Sequence, residues 1–316
     1  MITSTGWIII TGILVATSCA LVGAFLVLRK MSLMGDAISH AVLPGIVIAF
    51  LLTAGRNTFP MLIGAGIFGV LTVWLTEELS KRGRIFHDAS MGIVFTTLFA
   101  IGVIIISLFA ANVDIDQECV LYGEIAYVAW DLWIWQGTNM GPRPVWILGM
   151  VLVLNLSFIL LMFKELKTYS FSPKLATTLG LPVGLIHYTL MGSVSITTIA
   201  SFESVGAILV VAMLIVPPAT AYLLTDRLHI LLLLSVFFGI TSAVGGFYFA
   251  LWVNSSIAGA MAVVTGLQFI LVLFLAPRYG ILSRKYRKKS PGQMQESQGV
   301  GIPEITPTSS TNHISE

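Results

Sequence analysis

Charge is what this chain has least of. Only 10% of its 316 residues are Asp, Glu, Lys or Arg, against 56% hydrophobic, where a soluble domain carries about 25% charged residues. That deficit excludes an ordinary soluble enzyme. It also excludes a nucleic-acid-binding surface, because the basic residues sit in short loops and one tail. Cysteine is nearly missing: Cys19 and Cys119 are the two present, with no CxxC or Cys/His spacing. Neither a disulfide framework nor a cysteine zinc site is expected, and both read as unpaired thiols. There is no GxxxxGK[ST], HExxH or GxSxG stretch. The chain therefore has no P-loop nucleotide site of its own, and a membrane protease or lipase is disfavoured. No Lys or Arg precedes Arg29 and no small-residue cleavage pattern follows the first apolar run, so that run reads as a retained helix rather than a signal peptide.

What the chain has is hydrophobic length. Apolar runs near 7–28, 36–53, 59–79, 89–110, 145–163, 184–202, 204–224, 229–251 and 256–276 approach the roughly 20 residues that cross a bilayer. The fold class is an all-α polytopic membrane protein with about eight to nine transmembrane helices. The 36–53 run is short and carries Pro44 and Gly45 just after Gly35, which suits a broken or re-entrant helix as well as a simple span. Loop charge sets the orientation. With the N-terminus outside, Arg29, Lys30, Lys81, Arg82, Arg84, Lys164, Lys167, Lys174, Arg227 and the tail cations fall inside, and of 17 Lys and Arg only Arg56 and Arg143 fall outside. The C-terminus is then cytoplasmic.

The chain divides into a transmembrane domain over 1–283 and a disordered cytoplasmic tail over 284–316. The tail is rich in Pro, Gly, Ser, Thr and Gln and cannot bury a core. Its Arg284–Lys289 cluster is expected to hold the last helix end to anionic lipid. An outer loop over 111–144 holds Asp114, Asp116, Glu118, Glu124 and Asp131, with Trp130, Trp133 and Trp135. The aromatics suit a membrane–water boundary. The acids read either as a cation-gathering or docking surface or as a plain solvated loop. The inner segment 164–183 contains Ser172-Pro173-Lys174, a capping hydroxyl with Pro at the first helical position, and ends in Leu179-Gly180-Leu-Pro182. It reads as a short capped helix between two spans, either a lever for a soluble partner or an ordinary surface helix. No internal repeat is evident.

The residues that suggest chemistry are Asp36 and His40, in Met31-Ser-Leu-Met-Gly-Asp-Ala-Ile-Ser-His-Ala-Val-Leu-Pro-Gly45. Ionisable residues in a membrane segment are expensive and usually functional. At i, i+4 the two share a helix face, and a carboxylate beside an imidazole is a reasonable first pair of ligands for a divalent transition metal. The structural alternative is that Asp36 caps the helix while His40 bonds a neighbouring helix. Glu203, between two apolar runs near the outer face, reads either as a gate ligand or as a short-loop acid. His187 reads as a hydrogen-bonded structural histidine. Pro217 and Pro218 break the seventh run, as a hinge or a packing kink. Ser242 and Gly246 form a small-xxx-small packing pair.

The Gly35-Asp-Ala-Ile-Ser-His-Ala41 core resembles the signature of the manganese/zinc/iron permease family of bacterial ABC importers. Tyr122-Gly-Glu-Ile125 resembles the family's aromatic-Gly-acid-Ile element. Phe171 to Val183 resembles its coupling helix, and Phe202 to Pro217 its late helix pair in the manganese/iron branch. The resemblance covers about residues 7–280, with Asn254-Ser-Ser-Ile-Ala-Gly259 standing where an acid-x-Pro-x-Gly pattern is common. It implies a vitamin-B12-importer-like (type II) ABC permease fold in the bacterial cytoplasmic membrane. It also implies a second permease copy or paralogue, a cytoplasmic ABC ATPase and an extracytoplasmic metal-binding protein. The implied function is import of Mn2+, Fe2+ or Zn2+ as substrate, with no permanently bound cofactor and no ATPase site in this chain. It assigns metal contact to Asp36 and His40, and Glu203 stands beside them as a third candidate ligand from its position alone. ATPase coupling goes to Ser172, Pro173, Lys174, Leu179 and Gly180. A secondary metal/proton carrier working without ATP is the alternative, since membrane acids and histidines also serve proton relays.

Overall fold

The computed structural model describes residues 4–53, 58–83, 85–109, 125–135 and 138–276. Arg56, Arg84, Cys119, the acids Asp114, Asp116, Glu118 and Glu124, the motif residues 122–124 and the whole 284–316 tail lie outside the described residues.

Apolar side chains around the full circumference, rather than on one stripe, mark helices that meet protein or lipid on every side. Most of the long helices are of that kind, and helices make up almost all of the described chain. In order they are α1 (Ser4–Leu28), α2 (Met34–Ala41), α3 (Leu43–Thr53), α4 (Thr58–Gly83), α5 (His87–Phe109) and α6 (Arg143–Leu161). Two short helices follow, α7 (Phe163–Phe171) and α8 (Pro173–Thr178). Then come α9 (Val183–Val205), α10 (Ala207–Tyr222), α11 (Leu228–Val253) and α12 (Ile257–Leu275). Among the described residues eight helical segments are long and apolar enough to cross a membrane, with α2 and α3 taken together as Met34–Thr53. The 204–224 run becomes α10, apolar but only 16 residues long.

α1 is the hub. It packs against α6, α9, α10 and α11, and α10, α11 and α12 pack on one another to close one half of the bundle. α2 to α5 form the other half. α9 touches α1, α2, α4 and α6 and so ties the halves together. Small residues permit the closest approaches, as expected where lipid supplies no hydrophobic drive between helices. A Cβ on Gly23 would stand 1.9 Å from the Leu214 carbonyl oxygen of α10, and one on Gly45 of α3 would stand 2.3 Å from the Gly64 oxygen of α4. Gly246 lies against the Met261 backbone of α12 and Ser242 is buried beside it, which is the packing expected of that pair. Many hydroxyls inside the spans return to carbonyls one turn back, as Thr72 does to Phe68 at 2.7 Å and Ser235 to Leu231 at 2.7 Å, which satisfies those donors away from water.

Three local features depart from simple spans. α2 and α3 are separated at Val42, and Pro44, which has no N–H to offer the carbonyl four residues back, sits at the start of α3. Pro217 and Pro218 lie buried inside α10. Between α5 and α6 the chain makes a 3-10 turn over Ile125–Trp130 and then an antiparallel hairpin, β1 (Leu132–Trp135) with β2 (Thr138–Pro142). The expectation for this region was a loop, and the hairpin is new. Its first strand is the run Leu-Trp-Ile-Trp, whose aromatic and β-branched residues favour a pleated strand. The hairpin rests on α1, where the Trp7 ring comes within 2.8 Å of the position a Cβ on Gly141 would take. The turn at Asn254–Gly259 holds despite its unusual sequence. Asn254 takes the left-handed conformation (φ 53°) that ends α11, and the Ser256 hydroxyl accepts from the Gly259 N–H to cap α12.

Candidate metal pathway

α2 is short and amphipathic. Its buried side, with Met34, Ala37, Ile38 and Ala41, is seated against α4, α5, α9 and α10. Gly35 leaves room there for the Leu214 side chain of α10, whose Cδ2 would stand 2.1 Å from a Cβ at that position. That seating turns Asp36 and His40 to the remaining side. The helix is capped at Leu33 with no side-chain bond, so Asp36 is not the cap. Its Oδ1 lies 3.5 Å from His40 Nε2, with 41% of the Asp36 side chain and 30% of the His40 side chain exposed. A charge-assisted hydrogen bond closes to about 2.7–2.9 Å, so this contact is loose and leaves carboxylate lone pairs for another partner. The imidazole is steadied by the rings of Phe95 and Phe99 on α5, at centroid distances of 6.1 and 5.9 Å.

Ser39, beside His40, faces a different space. A cavity of about 240 Å³ lies between α2–α3, α4 and α9. Its walls are mainly apolar, with Met61 and Ala65 on one side and Ile199 and Phe202 on the other, and its polar groups come from Ser39, Thr198 and Glu203. The Thr198 hydroxyl is buried and makes no hydrogen bond among the described residues. Glu203 thus lies on the cavity wall near the end of α9, one turn before Gly206 (φ 81°) breaks the chain into α10. Asp36 and His40 are brought together; Glu203 does not join them, since among the described residues no three His, Cys, Asp or Glu form a ligand cluster. A transit site that must release its ion suits such an incomplete set.

The rest of α9 is unusually polar for a buried membrane helix. The Asn155 amide of α6 donates to Thr197 Oγ1 at 2.7 Å, and Cys19 of α1, a free buried thiol, donates to Ser201 Oγ at 3.7 Å. Ser195 Oγ occupies the space beside Gly69 of α4, 1.8 Å from where a Cβ would be.

At the opposite end of α9 lies the 164–183 segment. Ser172 Oγ accepts from the Leu175 N–H at 3.3 Å, Pro173 opens α8, and Gly180 turns the chain at φ 74°. Lys174 is exposed, as are Phe171, Leu175 and Leu179 at 54%, 52% and 63%, an apolar group on a segment outside the spans.

Sequence reasoning missed the polar network beside it. Glu77 of α4 pairs with His187 Nε2 of α9 and, through Oε2, with Lys81 Nζ at 2.8 Å; Tyr188 donates to the same Oε2 at 3.2 Å. Tyr169 of α7 shares a 2.8 Å hydrogen bond with His187 Nδ1. Arg29, just past α1, stacks its guanidinium 3.9 Å above the Tyr169 ring. Burial pushes the Tyr169 hydroxyl up to about 12, so it stays protonated. His187 is hydrogen-bonded as expected, but its partners were not foreseen. The available signal was that Glu77 and His187 each sit at the same end of their spans.

Comparison with known proteins follows the same lines. Residues 1–276 match the model of the ABC 3 transport family. The chain is 52% identical over 281 residues to the manganese transport system membrane protein MntD of Bacillus subtilis, covering 89% of this chain and 95% of that protein. It is 42% identical to the zinc transport system membrane protein TroD of Treponema pallidum, over 88% of this chain and 75% of that protein. Its fold matches PsaBC from Streptococcus pneumoniae, solved in complex with Fab, with a TM-score of 0.73 and 34% identity over 88% of this chain and 94% of that one.

Proposed function

Because this chain belongs to the ABC 3 transport family, we propose that it is the membrane permease subunit of an ATP-driven importer of a divalent transition metal, manganese first and zinc second. Membership makes it a multi-pass transport subunit of an ABC system. The order of metals follows the manganese and zinc systems to which its relatives belong; iron rests on the signature resemblance alone. The observation that carries the reading is the loose Asp36–His40 pair on a short, broken helix beside a partly polar cavity. An acid and an imidazole held apart at 3.5 Å can exchange each other for a cation, and water or a second subunit completes the ligand set. Glu203 and Ser39 serve the same ion on the cavity side.

The assembly consists of two permease copies, or this chain with a paralogue, embedded in the bacterial cytoplasmic membrane with the N-terminus outside. An extracytoplasmic metal-binding protein delivers the ion to the outer loop over 111–144. A cytoplasmic ABC ATPase, carrying the nucleotide site that this chain lacks, docks on Ser172, Pro173, Lys174, Leu179 and Gly180, where exposed Leu175 and Leu179 give it an apolar grip. Residues 1–283 form the permease and 284–316 a cytoplasmic tail whose Arg284–Lys289 cluster meets anionic lipid. The ATP-independent carrier has no observation in its favour.

The test is uptake of labelled manganese, zinc and iron by the reconstituted complex, with and without ATP and the binding protein. ATP-dependent manganese uptake that disappears in Asp36→Ala at normal protein level supports the reading. Uptake by Asp36→Ala equal to wild type sinks the metal role, and uptake driven by a proton gradient without ATP sinks the ABC role.

A further inference from the structure

α4 and α9 run antiparallel, touch at two levels and stand apart across a cavity at a third. In the middle Ser195 presses into the space left by Gly69. About two helical turns to one side, Glu77 and His187 are paired. About one to two turns to the other side, Met61 and Ala65 of α4 face Ile199 and Phe202 of α9 across the cavity. That is the layout of a scissor with a fixed pivot. The short handles are gripped from outside by Tyr169, whose ring and hydroxyl are buried between Arg29 and His187. Tyr169 belongs to α7, and only Ser172 separates α7 from α8.

We infer that Glu77, His187 and Tyr169 are positioning residues that transmit displacement of α8 through the Gly69–Ser195 pivot to the width of the cavity between α4 and α9. This rests on the transport reading above. Polar contacts suit the task better than apolar ones. In a low-dielectric surround they are directional and strong, so the handles keep their register while they move. A packed apolar contact would slide. A buried acid–imidazole pair gains little stability over a well-packed hydrophobic substitute, so its use here points to register rather than to holding the fold.

The experiment uses the complete complex with its ATPase and the manganese-loaded binding protein in lipid nanodiscs or vesicles. It compares wild type with Tyr169→Phe, Glu77→Gln, His187→Gln and the exchange of Glu77→His with His187→Glu. The readout is manganese transported per ATP hydrolysed, beside the basal ATPase rate. Tyr169→Phe loses a single oxygen and keeps the ring over which Arg29 stacks. Its ratio is expected to fall by a factor in the range of about 5–150, the span of ordinary coupling energies, with the basal rate unchanged. Glu77→Gln and His187→Gln should fall further, and the exchange should recover part of the loss. A ratio equal to wild type in Tyr169→Phe and Glu77→Gln overturns the inference. So does loss of assembly in Tyr169→Phe, which assigns the network to folding. A wild-type complex that transports no metal sinks the functional reading instead and is seen before any variant is made.

Discussion

Two acid–histidine pairs lie in this bundle, and they are built in opposite ways. Asp36 and His40 belong to one helix, stand 3.5 Å apart and keep 41% and 30% of their side chains exposed. Glu77 and His187 come from two helices, are in close contact, and keep only 14% and 6%. Glu77 has two further partners in Lys81 and Tyr188, and His187 has Tyr169. The first pair leaves lone pairs unused beside aromatic walls. The second is closely paired and shielded from water. An acid beside a histidine in a membrane therefore does not by itself mark a metal site; the proposal for Asp36 and His40 rests on coordination left open to a third party.

Substitutions can break that contrast. The largest effect is expected from Asp36→Ala. Loss of even an outer-shell partner lowers metal affinity about 10–100-fold, so loss of a contacting carboxylate should reduce uptake by more than about 100-fold while the melting temperature in detergent stays near wild type. Glu77→Ala should lower both the melting temperature and the manganese moved per ATP. It leaves His187 buried without its acid, which costs on the order of 3 kcal/mol and should appear as a lower melting temperature with or without manganese. Gly23→Ala comes next, since a Cβ would collide with the Leu214 carbonyl. Overpacking of this kind costs about 1–3 kcal/mol; it tests whether the α1–α10 contact that supports α2 matters to both pairs, with thermal unfolding and uptake both falling. The smallest effect is expected from Ser172→Ala, which removes the α8 cap at about 1 kcal/mol. Stimulation of the ATPase should weaken a few-fold, and metal binding at Asp36 should not change.

The first pair was legible in the sequence and the second was not, for a simple reason. Asp36 and His40 are neighbours on one turn, so their spacing alone puts them together. Glu77 and His187 are brought together by the packing of α4 on α9, and in the sequence Glu77 reads as one of several charges closing a span, next to Glu78, Lys81 and Arg82. The spans themselves were readable because hydrophobic length is a local property. The break at Val42 was foreshadowed by Pro44 and Gly45. The β1–β2 hairpin was not read, because four residues of strand give too short a pattern. Ser172 and Gly180 announced α8 because capping is also local, and the structure shows the hydroxyl bond and the positive φ that those residues supply.

α10 is 16 residues long, which at 1.5 Å per residue gives about 24 Å, against about 30 Å for the hydrocarbon layer. Most of its side chains are covered by α1, α11 and α12 rather than by lipid. The longer neighbours therefore meet the bilayer on its behalf, and a helix too short to cross alone can sit inside the bundle without bending the membrane around it.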